Sequence, residues 1–190
     1  MGLGSRAPVR PKGKAGFGAD RTESSPLKGF KTMRNENLIK SLEGNISLLF
    51  AFVGSIRNES IMKRKEENAL SIYDHICHLS IIQPLFYDRL ETFLKEESPM
   101  ISLASLRKID IVHGNEQSIM TLMRTYESWR LRQVELVRST DGKLWDRMAA
   151  NKELSGYSFE SLVKDILLND IFHISQIEEL QAISGMGQPA

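Results

Sequence analysis

The first sustained apolar rhythm in the chain is NENLIKSLEGNISLLFAFVGSI, where Leu38, Leu42, Ile46, Leu49, Val53 and Ile56 recur at steps of four and three. That is the 3.6-residue repeat of an amphipathic helix with one stripe turned to a core. After the polar stretch RNESIMKRKEEN, a second helix is predicted from about Glu66 to Glu97, with Ile72, Ile76, Leu79, Phe86, Leu90 and Phe93 on its inner side. Pro84 falls inside this pattern and has no amide hydrogen for the helical ladder, so a bend is expected about a turn beyond His78. A segment punctuated by Pro99 and Gly114 leads to a third helix. It is capped near Asn115 or Ser118 and runs through Ile119, Met123, Tyr126, Val134 and Val137 to about Ser139. Gly142 and Gly156 then turn the chain. The last helix begins after Ser158, a good N-cap with Glu160 in the first turn, and stops at Gly185. Four long helices with connections able to reverse direction predict an all-α protein, a four-helix bundle.

Composition adds a boundary. The 190 residues suffice for one well-buried domain. Residues 1–34 carry eight lysines and arginines against Asp20 and Glu23, which leaves the remainder mildly acidic beneath a net charge of +1. The expected organisation is a disordered basic tail over 1–34, a bundle domain over 35–185 and a short tail over 186–190. An acidic bundle is a poor partner for nucleic acid. No run of 18 apolar residues is present and the basic start lacks the apolar centre of a secretory signal, so no membrane association is expected. Cys77 stands alone, which excludes an intramolecular disulfide and fits a reducing compartment, the cytoplasm.

The candidate chemistry lies in the apolar seams themselves. In the last helix the inward stripe is Leu162, Ile166, Asn169, His173, Ile177 and Leu180, so Asn169 and His173 stand one above the other in core register. On the second helix, His78 is preceded by Asp74 and His75 and followed by Ile81 and Ile82, where an apolar face meets a polar one. An amide and imidazoles aimed into a bundle must find partners, since an unpaired polar group in an apolar interior costs about 1–3 kcal/mol. Histidines converging from two helices are one way that bundles build metal sites, although a single interior histidine is more often a hydrogen-bonded core residue. His75 reads as a residue supporting a ligand from behind or as a rim residue, His113 as a loop residue without a partner, and Cys77 as a small buried hydrophobe. Asp74, Asp165 and Asp170 are in register to orient an imidazole or add a ligand. No Ser/His/Asp order, CxxC pair or phosphate-binding glycine loop competes with this cluster.

Three stretches carry a resemblance. LSIYDHICHLSIIQPLFYDRL is similar to the second helix of the DinB/YfiT-like family, with Leu70 where the family has tryptophan and His78-Leu79 matching a metal-binding histidine followed by leucine. LWDR at 144–147 matches a stretch before that family's last helix, and His173, Gln176 and Ile177 fit its closing pattern. The similarity spans about residues 36–183 and implies a four-helix bundle, often a homodimer, with three histidines holding a divalent ion such as zinc or nickel. By position the ligands would be His78, Asn169 and His173, with Asn169 replacing an imidazole by a weaker amide donor. The implied activity is a metal-dependent transferase that moves a low-molecular-weight thiol onto an electrophilic small molecule. The alternative is a non-catalytic binding or dimerisation module, which Asn169 favours.

Overall fold

A computed structural model describes residues 26–57, 60–62, 64–67, 69–101, 117–151 and 155–186. Its elements are α1 (Pro26–Gly54), α2 (Ile72–Ile81), α3 (Gln83–Lys95), α4 (Ile119–Ser139) and α5 (Phe159–Met186), with a 3-10 turn at Leu144–Asp146 before α5. Helix α1 starts nine residues before the expected domain boundary, so the end of the basic stretch is helical. Residues 1–25 of the tail expected over 1–34 and residues 187–190 of the tail expected over 186–190, and His113, Gly114 and Asn115, lie outside the described residues.

The long second helix is two helices. Pro84 sits in the first turn of α3, where a missing N–H is tolerated, and Ile82 joins the pieces. The rod begins at Ser71 rather than Glu66, because Ser71 and Asp74 form a reciprocal capping box. Ser118 caps α4 through Thr121 N–H at 3.1 Å, and Ser158 caps α5 through Ser161 N–H at 3.2 Å. The LWDR stretch closes the far end of the bundle. Trp145 packs edge-on against Phe159 with ring centroids 5.6 Å apart, and Arg147 Nη1 donates to the carbonyls of Phe93 in α3 at 2.7 Å and of Glu96 just beyond it at 3.0 Å.

Helix α1 packs on α4 and α5, and so does the α2–α3 rod, which places α1 and α2–α3 on opposite corners of the bundle. Chain neighbours α1 and α2, and likewise α4 and α5, are therefore joined across the diagonal instead of side by side as in an up-and-down bundle. None of the described helices is long and apolar enough to cross a membrane.

The core is split in two. One cluster gathers Leu42, Phe86, Leu90, Phe93, Val134, Trp145, Phe159 and Ile166; the other gathers Leu49, Ile72, Ile76, Leu79, Tyr126, Ile174 and Ile177. Between them every rod contributes a buried polar residue: Asn45 between Leu42 and Leu49, Gln83 between Leu79 and Phe86, Arg130 between Tyr126 and Val134, and Asp170 between Leu167 and Ile174. Asp170 is the hub of this layer. Its carboxylate accepts from Arg130 Nη2 at 2.7 Å, Tyr126 Oη at 3.0 Å and Asn45 Nδ2 at 3.1 Å. Gln133 Nε2 donates to the Gln83 carbonyl at 2.9 Å, tying α4 to the α2–α3 joint. Burial drives the Asp170 carboxyl upward while the Arg130 guanidinium and its neutral donors hold it back.

Candidate functional site

Helix α2 carries two of the three described histidines, and its start is fixed by a cap and an ion pair. Ser71 donates to Asp74 Oδ2 through its N–H at 2.8 Å and its hydroxyl at 2.7 Å, and Arg64 pairs with the same carboxylate at 2.7 Å. His75 and His78, three residues apart, project from one face of the helix towards α5. There they meet His173. His75 Nδ1 and His173 Nδ1 face each other at 2.8 Å, and the ring of His78 stacks on that of His173 with centroids 4.3 Å apart and planes inclined by 28°. The His75 and His173 rings are tilted by 60° at 5.1 Å.

Burial sets the charge of this cluster. His75 is 4% exposed and His173 6%, and His78 is half-buried. Desolvation pushes His75 down to about 4, with Asp74 pulling the other way, and pushes His173 down to about 3, with His78 and His75 adding to the effect. His78 is lowered by the same cause, partly offset by a side-chain hydrogen bond to Asn169. At neutral pH all three rings are uncharged, so each keeps one N–H and one lone pair. In the His75–His173 contact one Nδ1 donates and the other accepts.

The residues expected to form the site are together. His78, Asn169 and His173 share the α2–α5 seam, with Asn169 beside His78 and its Nδ2 buried without a hydrogen-bond partner. His75 is no rim residue: it lies deeper than His78 and touches His173 directly. Its signal in the sequence was the i, i+3 spacing to His78 on a helix whose next turn is apolar on both sides. The three aspartates have other work. Asp74 caps α2, Asp170 binds Arg130 and Tyr126, and Asp165 accepts from Tyr157 Oη at 2.7 Å. Cys77 is half-buried, and burial followed by Asp74 pushes its thiol above the usual range, which argues against a nucleophile.

Among the described residues, no group of three or more His, Cys, Asp or Glu side chains is arranged to hold a metal ion. The donor types nevertheless suit one, since neutral imidazole is a preferred ligand of zinc and nickel. Two nitrogens on one tetrahedral ion at about 2.0–2.1 Å stand roughly 3.3 Å apart. The 2.8 Å pair would have to open by about half an ångström, and the stacked His78 ring would have to turn. The residues therefore fit a divalent cation in chemistry, in a cluster now paired within itself.

No protein-family model matches the sequence, and no curated protein is significantly similar to it. Among solved structures the chain is similar to YfiT from Bacillus subtilis, described as a probable metal-dependent hydrolase with an unusual four-helix bundle topology. The TM-score is 0.66 at 17% sequence identity, over 87% of this chain and 92% of the other. The two proteins share a fold, and the DinB/YfiT-like bundle expected from the sequence motifs is the architecture observed.

Proposed function

We propose that this bundle binds one divalent cation between α2 and α5 and promotes attack by a small nucleophile, water or a low-molecular-weight thiol, on an electrophilic substrate. The observation that carries this reading is the cluster of three uncharged imidazoles from two helices, each paired with another imidazole or an amide. Two buried imidazoles and a half-buried one gathered around His173 are costly to desolvate, and a shared cation is a partner that would use their lone pairs. The description of YfiT as a probable metal-dependent hydrolase supports the water branch. The motifs around His78 and His173 support the thiol branch.

In this reading His78 and His173 supply lone pairs from the two helices. Asn169, beside His78, would orient that ring and so favour one of its nitrogens as the free one. The Ser71–Asp74 cap and the Arg64 ion pair fix the start of α2, the helix from which His75 and His78 project. When bound, a zinc or nickel ion supplies Lewis acidity, lowering the pKa of a water or thiol at an open position.

The test is elemental analysis of tag-free protein offered zinc and nickel separately, followed by assays of thiol consumption and ester or amide hydrolysis with the loaded protein. Stoichiometric metal that is lost in His78→Ala and His173→Ala supports the proposal, and metal-dependent turnover in one assay selects the nucleophile. A second reading, a non-catalytic binding module, is favoured by the self-paired rings, which complete their hydrogen bonds within the protein. Absence of metal uptake at micromolar supply would establish it.

A further inference from the structure

We propose that the outward face of α5 is the contact surface for a second copy of this chain, with the two α5 helices antiparallel about a two-fold axis between Ile171 and Phe172. The contact does not depend on a bound metal. Leu168, Ile171 and Phe172 lie within two turns of one another and are 62%, 54% and 56% exposed. Single apolar side chains at a surface are ordinary, whereas a dense group of them marks a contact. Helices α2 and α3 expose one large apolar residue each, and α1 and α4 expose two each that stand more than two turns apart. The group on α5 is thus the one dense apolar patch on the described helices. Phe172 also meets the His173 ring edge-on at 5.1 Å, so the patch adjoins the candidate site.

The order of residues on this face points to its occupant. At about 100° per residue, Lys164, Leu168, Ile171, Phe172, Ser175 and Glu179 fall within an arc of about 100° on the helix surface. They are also symmetric about the Ile171–Phe172 midpoint: Ile171 answers Phe172, Leu168 answers Ser175 and Lys164 answers Glu179. A two-fold axis through that midpoint turns the face onto itself, as an isologous contact requires. Large Leu168 then meets the partner's Ser175, which is small. Ser175 Oγ donates to the Phe172 carbonyl at 2.8 Å, so its hydroxyl hydrogen is already satisfied when water leaves. At each end Lys164 faces the partner's Glu179. A parallel pairing would set lysine on lysine and glutamate on glutamate, so the charges select the antiparallel direction. Both side chains are about half exposed; Lys164 rests on Glu160 at 2.7 Å and Glu179 on Lys65, and each keeps a side open to a further partner. A stripe about 23 Å long on a single helix makes a small interface, which implies a reversible micromolar dimer.

The experiment is sedimentation velocity on the full chain from about 1 to 500 µM, a range that spans such an equilibrium. The wild-type chain should pass from monomer to dimer. Ile171→Asp, on the axis and pointing away from the core, should weaken association by more than about 30-fold. Lys164→Glu and Glu179→Lys each set like charges against each other at both ends of the contact and should weaken self-association by about 10-fold. Mixed in equal amounts, these two variants oppose unlike charges at both ends and should form a heterodimer about as tight as the wild-type pair. A folding fault in either variant is not repaired by mixing, so recovery reports the register itself. A wild-type chain that stays monomeric to about 500 µM, which would leave the face to a different partner, overturns the proposal. So does a dimer that Ile171→Asp leaves intact, or charge variants that are folded by circular dichroism and fail to pair when mixed.

Discussion

Acidification tests the electrostatic state of the histidine cluster directly. His75 is depressed to about 4 and His173 to about 3, chiefly by burial, against about 6.5 for an exposed imidazole. Between these values the unfolded chain binds protons that the folded chain refuses. The stability contributed by the two neutral rings is therefore fully present above pH 6.5 and is lost as pH falls towards the folded values. Each histidine contributes about 1.4 kcal/mol per pH unit in this window, so the pair should cost roughly 5 kcal/mol between pH 6.5 and 4.5. That equals a large part of the roughly 5–15 kcal/mol available to a domain. Urea unfolding followed by circular dichroism at pH 7.5, 6.5, 5.5 and 4.5 should show a midpoint that falls steeply below 6.5, and His173→Gln should roughly halve the slope. Ordinary carboxylates titrate mostly below this window. A midpoint that stays level from pH 6.5 to 5, or a ring of His75 titrating near 6.5 by NMR, would refute the claim that the cluster is buried and neutral.

Three further outcomes follow from the packing, each measured by chemical denaturation. Asp170→Ala strands Arg130, which is 0% exposed, as an uncompensated buried charge and should cost about 3–5 kcal/mol, whereas joint replacement by Arg130→Met and Asp170→Leu should recover most of that loss. Ser71→Ala removes the acceptor of the α2 capping box and should cost about 1 kcal/mol. Phe159→Ala empties the space between Trp145 and Phe93 and should cost about 3–5 kcal/mol.

Much of the fold was legible in the apolar rhythm. All six residues placed on the inner side of the second helix are buried, because a strong stripe has only one way to leave water. The proline bend and the Ser118 and Ser158 caps follow from purely local chemistry. The polar layer was harder to see. Arg130 and Gln133 stand in register with Tyr126 and Val137, but a charged residue in an apolar stripe reads as a flank until its counterion is known, and Asp170 lies 40 residues away. The same limit applied to His75, whose depth depends on where α5 packs. Asn169 lies in the same seam as the histidines, yet how its side chain turns towards His78 is a matter of orientation that spacing does not encode.

The most direct test of the central claim is anomalous diffraction at the zinc edge from crystals of the full chain grown with zinc. The account expects one strong peak in the α2–α5 seam, within bonding distance of nitrogens from His78 and His173. A map with no peak there, or one with zinc held only by surface residues, would contradict it.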